Sequence, residues 1–163
     1  MRHADSLSQA RFLAIMVPSF LLGGALASQY IGGLVPCEMC VWQRWPHLGA
    51  ITAAMVAIGL RGNPPMSAVF TVLAALAIAT SGAIGVFHAG VEYGWWQGMT
   101  SCTSTVRVAT GQSTLETIMS ATLVRCDVAP WELFGISLAG YNAIFSLGGA
   151  LLIVLLVLKW SRR

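Results

Sequence analysis

The chain has 163 residues, 56% of them hydrophobic and only 9% charged, with a formal net charge of +3. A water-soluble domain usually carries about 25% charged residues, so this composition excludes an ordinary solvated surface and points to lipid as the outer solvent. The positive charges sit in short flanks and not on one basic face, which gives no surface for nucleic acid.

Four segments are long and apolar enough to cross a bilayer: residues 12–30, 41–60, 66–87 and 133–158. Each is close to the ~20 residues that about 30 Å of hydrocarbon requires at 1.5 Å per residue. Helices are expected because they satisfy their own backbone groups within lipid. The first segment is similar to a secretory signal as far as Ala25-Leu26-Ala27. Its apolar run continues through Tyr30 and Ile31, longer than a signal core, so it is read as a retained span. The second is the weakest, with Arg44 and Pro46 near its start. The expected architecture is an all-α membrane protein, a four-transmembrane-helix bundle forming a single integral membrane domain over residues 1–163.

Residues 31–40 form a short loop on the outer side, and Arg61-Gly62-Asn63-Pro64-Pro65 a tight inner turn. Residues 88–132 form a second outer loop, too long for a plain connector. Within it Ser113-x-x-Glu116 has the capping-box spacing, and Leu115, Ile118, Met119 and Leu123 follow on one helical face. This short amphipathic helix either lies in the membrane interface or covers the loop's own core. With both termini inside, Arg2, Arg11, Arg61, Lys159, Arg162 and Arg163 are cytoplasmic, and only Arg44, Arg107 and Arg125 fall outside. The positive-inside rule favours that orientation. Trp42, Trp45, Trp95, Trp96 and Trp131 then line the outer interface. Gly23, Gly24, Gly82, Gly85, Gly148 and Gly149 are expected to let helices approach closely, with Asn142 bonding across helices.

The cysteines carry the chemistry. Cys37 and Cys40 fall in the short outer loop, Cys102 and Cys126 in the long one, and none lies inside a span. The outer compartment is the oxidising one, so one pair per loop points to thiol–disulfide work. In Pro36-Cys37-Glu38-Met39-Cys40, two intervening residues suit a readily exchanged disulfide. Pro36 suggests that a helix starts here. The amides and positive dipole end of that helix would stabilise a thiolate at either cysteine. Arg44 lies four residues after Cys40 on the same face, where a thiolate or a quinone carbonyl would suit its guanidinium. A Cys102–Cys126 bridge would either stabilise the loop by roughly 3 kcal/mol or meet an external dithiol. Zinc also uses Cys-x-x-Cys, but Cys102 and Cys126 do not form a second such motif, and no metal is expected.

These residues resemble the bacterial disulfide-bond formation protein B (DsbB) family. The matching stretches are Pro36-Cys37-Glu38-Met39-Cys40-Val41-Trp42-Gln43-Arg44, then Phe87-His88-Ala89-Gly90-Val91-Glu92-Tyr93-Gly94-Trp95-Trp96 leading to Cys102, and Cys126-Asp127 with Pro130-Trp131. The resemblance implies a multi-pass protein of the bacterial inner membrane with periplasmic cysteine loops and cytoplasmic termini. It implies a quinone-dependent protein-disulfide oxidoreductase whose partner is a periplasmic thioredoxin-like dithiol of the DsbA type. That partner attacks at Cys102, and the freed Cys126 exchanges with the first pair at Cys37. Cys40 is left beside a membrane quinone, ubiquinone or menaquinone, with Arg44 and His88 as quinone contacts. DsbA is itself a strong oxidant at about −120 mV, so its reoxidation needs a stronger acceptor at the end of the chain.

Other readings give different expectations. A DsbB-like oxidase with a dedicated partner shares the same core. A structural four-span protein would hold two static disulfides. An outward reductant conduit would need cysteines within the spans or on the inner side. An ion-coupled transporter would need an ionisable group in the membrane, and Asp and Glu are absent from the four predicted spans.

Overall fold

The computed structural model describes residues 2–98 and 125–162, with side chains from Ser6 onward. Among these residues four helices carry the fold: α1 (Arg2–Tyr30), α2 (Glu38–Gly59), α3 (Pro64–Glu92) and α4 (Leu138–Ser161). A hairpin of two-residue strands, β1 (Glu132–Leu133) and β2 (Ile136–Ser137), precedes α4, with Glu132 opposite Ser137 and Leu133 opposite Ile136. Neighbours around the bundle run α1, α2, α3, α4 and back to α1, with α1 and α3 also meeting across it. Cys102, Arg107 and the amphipathic helix expected from Ser113 lie outside the described residues.

Among the described residues three helices, α1 from Ser6, α3 and α4, are long and apolar enough to cross a membrane. The second helix has 22 residues, about 33 Å at the helical rise, but Gln43, Arg44 and His47 dilute its hydropathy. Gln43 and His47 are buried, so this polar stripe faces the bundle interior.

The distribution of side chains is inverted relative to a soluble core. The buried set is dominated by small residues, including Ala10, Ala14, Ala50, Ala54, Ala74, Ala75 and Ala150. Phe12, Phe20, Met55, Leu76, Leu151 and Leu155 are exposed. Small residues bring helices together where lipid gives no hydrophobic drive, and large apolar ones face the acyl chains. Buried hydroxyls add cross-helix bonds: Ser67 Oγ donates to the Ala57 carbonyl at 2.7 Å and Ser81 Oγ to the Gln43 carbonyl at 2.8 Å.

The glycine expectation is met at half of the six positions. A Cβ on Gly82 would lie 2.9 Å from Leu147, one on Gly85 3.0 Å from the Ala139 carbonyl, and one on Gly149 3.0 Å from Val17. Gly23, Gly24 and Gly148 have open space instead. Their faces point away from neighbouring helices, which the sequence does not reveal.

Helix ends also differ from the apolar boundaries. The third helix continues past residue 87 to Glu92, so an acidic residue does belong to a long apolar helix. The fourth begins at Leu138, not 133, because Phe134 (φ 52°) and Gly135 (φ 73°) turn the chain first. Two successive positive φ values are what a two-residue hairpin turn requires. Tyr93 holds this hairpin to the end of α3: its hydroxyl donates to the Gly135 carbonyl at 3.1 Å and accepts from the Ser137 amide at 2.8 Å. Ser137 caps α4 by accepting from the Gly140 amide and donates its own hydroxyl to Glu92.

Candidate functional site

The turn after Pro36 puts both first-loop cysteines at a helix start. Cys37 is the N-cap of α2 (φ −75°, ψ 171°), and its Sγ accepts the Cys40 amide at 3.1 Å. A sulfur thus occupies the place usually filled by a Ser or Asp oxygen, at the positive end of the helix dipole. The two sulfurs face each other at 2.6 Å. Their shared hydrogen bond, with burial, pushes the Cys37 thiol up, while the same bond pulls the Cys40 thiol down. The bond thus favours negative charge at Cys40 over Cys37.

Cys126, between α3 and the hairpin before α4, is only 2% exposed. It packs in one buried cluster with Cys37, Met39 and Val91, and Cys40 and Phe87 lie against that cluster. Residues from two loops almost 90 positions apart thus share one site. The Arg125–Asp127 pair beside it is exposed, and the Arg125 hydrogen bond holds the Asp127 carboxyl below its usual range.

His88 joins the cysteines to the bundle interior. It is 1% exposed, with Nε2 3.5 Å from Cys37 Sγ and 3.6 Å from a Glu92 oxygen. Its Nδ1 meets Gln43 Nε2 at 2.9 Å. The Gln43 amide is oriented by its other contacts, since Nε2 donates to the Met39 carbonyl and Oε1 accepts from Asn142 Nδ2 at 2.7 Å. Gln43 must then donate to Nδ1, which leaves the His88 proton on Nε2, toward Cys37 and Glu92.

Cys37, Cys40 and His88 bring three possible metal-ligand atoms within 4.8 Å of one another. Thiolates on a tetrahedral zinc at about 2.3 Å would stand about 3.8 Å apart. Sulfurs at 2.6 Å suit disulfide chemistry better than coordination.

A cavity of about 370 Å³ opens beside Cys40. Its wall is mostly apolar, with Phe20, Leu21, Leu34, Leu138 and Phe145 among its residues, and its polar members include Arg44, His47, His88, Glu92 and Asn142. Arg44 is held by α1: Nη1 donates to Gln29 Oε1 at 2.5 Å and Nη2 to the Ala25 carbonyl at 3.4 Å. No thiolate takes the guanidinium. Two buried polar atoms among the described residues lack any partner, Arg44 Nε and His47 Nδ1, and both residues line this cavity.

The structure thus brings together Cys37, Cys40, Cys126, Arg44 and His88 of the residues expected from sequence, and Cys102 lies outside the described residues. Sequence reasoning passed over Gln29, Gln43, His47 and Glu92. Two of these were findable, because Gln43 and His47 join Cys40 and Arg44 at positions i, i+3, i+4 and i+7, a polar stripe on one face of an apolar helix.

Helices with small residues inside and large apolar ones outside, a dithiol at a helix start and an apolar cavity against it define a class of membrane-embedded thiol–disulfide protein. The comparisons give the family. The profile described as "Disulfide bond formation protein DsbB" matches residues 8–156, and the chain belongs to that family. An uncharacterized protein of Rickettsia prowazekii is 26% identical over 146 residues, covering 88% of this chain and 83% of its own. Proteins named Disulfide bond formation protein B from Chromohalobacter salexigens and Ralstonia nicotianae are 33% and 40% identical over 91 and 94 residues. Those alignments cover 53% and 51% of this chain and 51% and 48% of the relatives. No solved structure matches. Membership makes this a membrane protein of disulfide-bond formation and implies disulfide oxidoreductase chemistry.

Proposed function

We propose that the chain is an inner-membrane thiol oxidase, a single four-span domain that reoxidises a periplasmic DsbA-like dithiol and delivers the electrons to a membrane quinone. Both termini are cytoplasmic and both cysteine loops periplasmic in this reading. The observation that carries it is the placement of Cys40 on the wall of an apolar cavity that is also lined by Arg44, whose buried Nε has no partner.

The exchange steps balance without further reagents. A partner thiolate attacks the Cys102–Cys126 disulfide at Cys102, forms a mixed disulfide and releases Cys126 as the leaving thiolate. The partner's second thiol then resolves the mixed disulfide, leaving Cys102 reduced. Cys126 attacks the Cys37–Cys40 disulfide at Cys37, and Cys40 leaves as a thiolate. Return of Cys102 onto Cys126 restores the outer bridge and frees Cys37. The helix-start position favours negative charge on Cys40 as it leaves, and His88 Nε2 stands 3.5 Å from Cys37 Sγ.

The cavity residues fit a quinone. Its ring is flat and apolar and its oxygens accept hydrogen bonds, matching the apolar wall and the free N–H of Arg44. A quinone there would supply the acceptor for the two electrons and two protons released when Cys37 and Cys40 re-form their disulfide. Arg44 binds and orients, Cys40 faces the acceptor, and the apolar wall excludes water.

Purified protein given a reduced DsbA-type partner should reduce a short-chain quinone, followed by loss of its ultraviolet absorbance. Cys40→Ser should abolish that signal while Cys102 still captures the partner as a mixed disulfide. Undiminished quinone reduction by Cys40→Ser would refute the assigned order. If wild type consumes no quinone yet turns over a different dithiol, the dedicated-partner reading gains. Cysteines that never exchange would instead leave a structural four-span protein.

A further inference from the structure

Asn142 determines the state of a second histidine in the cavity wall. Its Nδ2 lies 3.2 Å from the Ser81 carbonyl, which can only accept, so that atom is the donor end of the amide. Asn142 Oδ1 therefore faces His47 Nε2 at 3.0 Å, and His47 Nε2 must carry a proton. Ser81 Oγ, also 2.9 Å from His47 Nε2, already donates to the Gln43 carbonyl and so accepts from the same N–H. A neutral His47 thus has a bare lone pair on Nδ1. That atom is buried and has no partner, in a residue only 3% exposed.

An unpartnered acceptor in an apolar wall is unfavourable until a donor arrives. The other unpartnered buried atom of the cavity, Arg44 Nε, is a donor. Two residues of one cavity wall thus carry, buried and unpartnered, one donor and one acceptor. A quinone has two accepting oxygens, so it satisfies Arg44 and gives nothing to His47. The hydroquinone has hydroxyls that donate, so it alone can satisfy His47 Nδ1.

We propose that His47 is a form-selective ligand residue of the cavity: its Nδ1 accepts a hydroquinone hydroxyl, so the site binds the reduced ring more tightly than the oxidised one. This rests on the quinone reading above. The consequence is that binding itself favours reduction of the acceptor by Cys40, and that hydroquinone competes with quinone for the site.

The test measures affinity, not turnover. Full-length protein carrying Cys37→Ser and Cys40→Ser, which cannot exchange electrons with the ligand, is titrated anaerobically with decyl-ubiquinone and with its hydroquinone, and tryptophan quenching is read. His47→Gln places an amide nitrogen where Nε2 now bonds Asn142 but leaves no acceptor at the Nδ1 position. It should weaken hydroquinone binding about five- to tenfold, the worth of one neutral hydrogen bond, and leave quinone binding within about twofold. His47→Asn, whose short amide can put an oxygen near the Nδ1 position, should retain the preference for hydroquinone. Equal weakening of both forms by His47→Gln, or no change in either, overturns the proposal and leaves His47 a packing residue. If the background protein binds neither form, the quinone reading fails with it. Should His47→Gln not fold, His47→Asn alone decides, because loss of the preference there contradicts the assignment.

Discussion

At Cys37 the sulfur accepts the Cys40 amide and donates its own thiol proton to Cys40 Sγ, whereas Cys40 opens on the cavity shared with Arg44. Because the shared hydrogen bond lowers Cys40, its thiolate persists as pH falls past about 8.5, where an ordinary thiol takes up its proton. Cys37, raised by the same bond and by burial, holds its proton as pH rises. In the reduced protein, iodoacetamide should therefore label Cys40 before Cys37, and its rate should fall off at a lower pH than a free thiol's. Cys37→Ala removes the bond and should move that fall-off upward toward ordinary thiol behaviour. Rapid-quench labelling from about pH 5 to 9 with peptide mass spectrometry reads both, and Cys37 labelling first would contradict the assignment. Gln43 is a residue of a different kind, since it satisfies His88 and Asn142 at once. Gln43→Leu leaves the buried His88 Nδ1 without a partner, at a cost of about 1–3 kcal/mol, and takes one bond from Asn142, which keeps its contacts to Ser81. Its melting temperature in detergent should fall clearly below that of a lipid-facing control such as Phe12→Leu.

At the scale of the element, helix contacts are decided by which face a small residue occupies. Gly85 lies against the Ala139 carbonyl and the Asn142 side chain, so Gly85→Val must push α3 from α4 at a cost of about 1–3 kcal/mol. Gly23 has open space, and Gly23→Ala should be neutral or gain up to about 1 kcal/mol of helix propensity. Comparable losses for the two in a thermal melt would refute the packing argument. The same facing problem limits what the sequence discloses. Apolar length finds α1, α3 and α4, and Cys-x-x-Cys with Arg44 finds the working end of α2. It misses that α3 runs to Glu92, because a carboxylate reads as a span end. Here Ser137 and His88 engage that carboxylate inside the bundle. It also places the start of α4 too early, because Leu133 and Phe134 read as span when they belong to a hairpin turned at Gly135. Gln43 and His47 were visible as letters, but their role depends on facing Asn142 and Ser81, which α4 and α3 bring from far along the chain.

The whole molecule has two unlike ends. Cys37, Cys40, His88, Glu92, Cys126 and the α4 hairpin gather at one, while the turn at Arg61 and the tail with Lys159 and Arg162 lie at the other. Cys126 and Cys37 share a buried cluster, so the proposed route has the two pairs exchange through contact within the protein and not through diffusing thiols. The four cysteines should then behave as one connected couple. Depleting membrane quinone in cells with an active DsbA-type partner should convert both pairs to thiols, seen as a four-label mass shift after alkylation, and restoring quinone should reverse it. Arg44→Ala, by weakening the acceptor site, should show the reduced state even with quinone present. Two static bridges would stay unlabelled under all three conditions. Reduction confined to Cys102 and Cys126 would mean that the buried contact does not conduct exchange. The distinction is sharp because structural disulfides lie below about −300 mV, far more reducing than a partner near −120 mV, so that partner reduces only bridges built to accept its electrons.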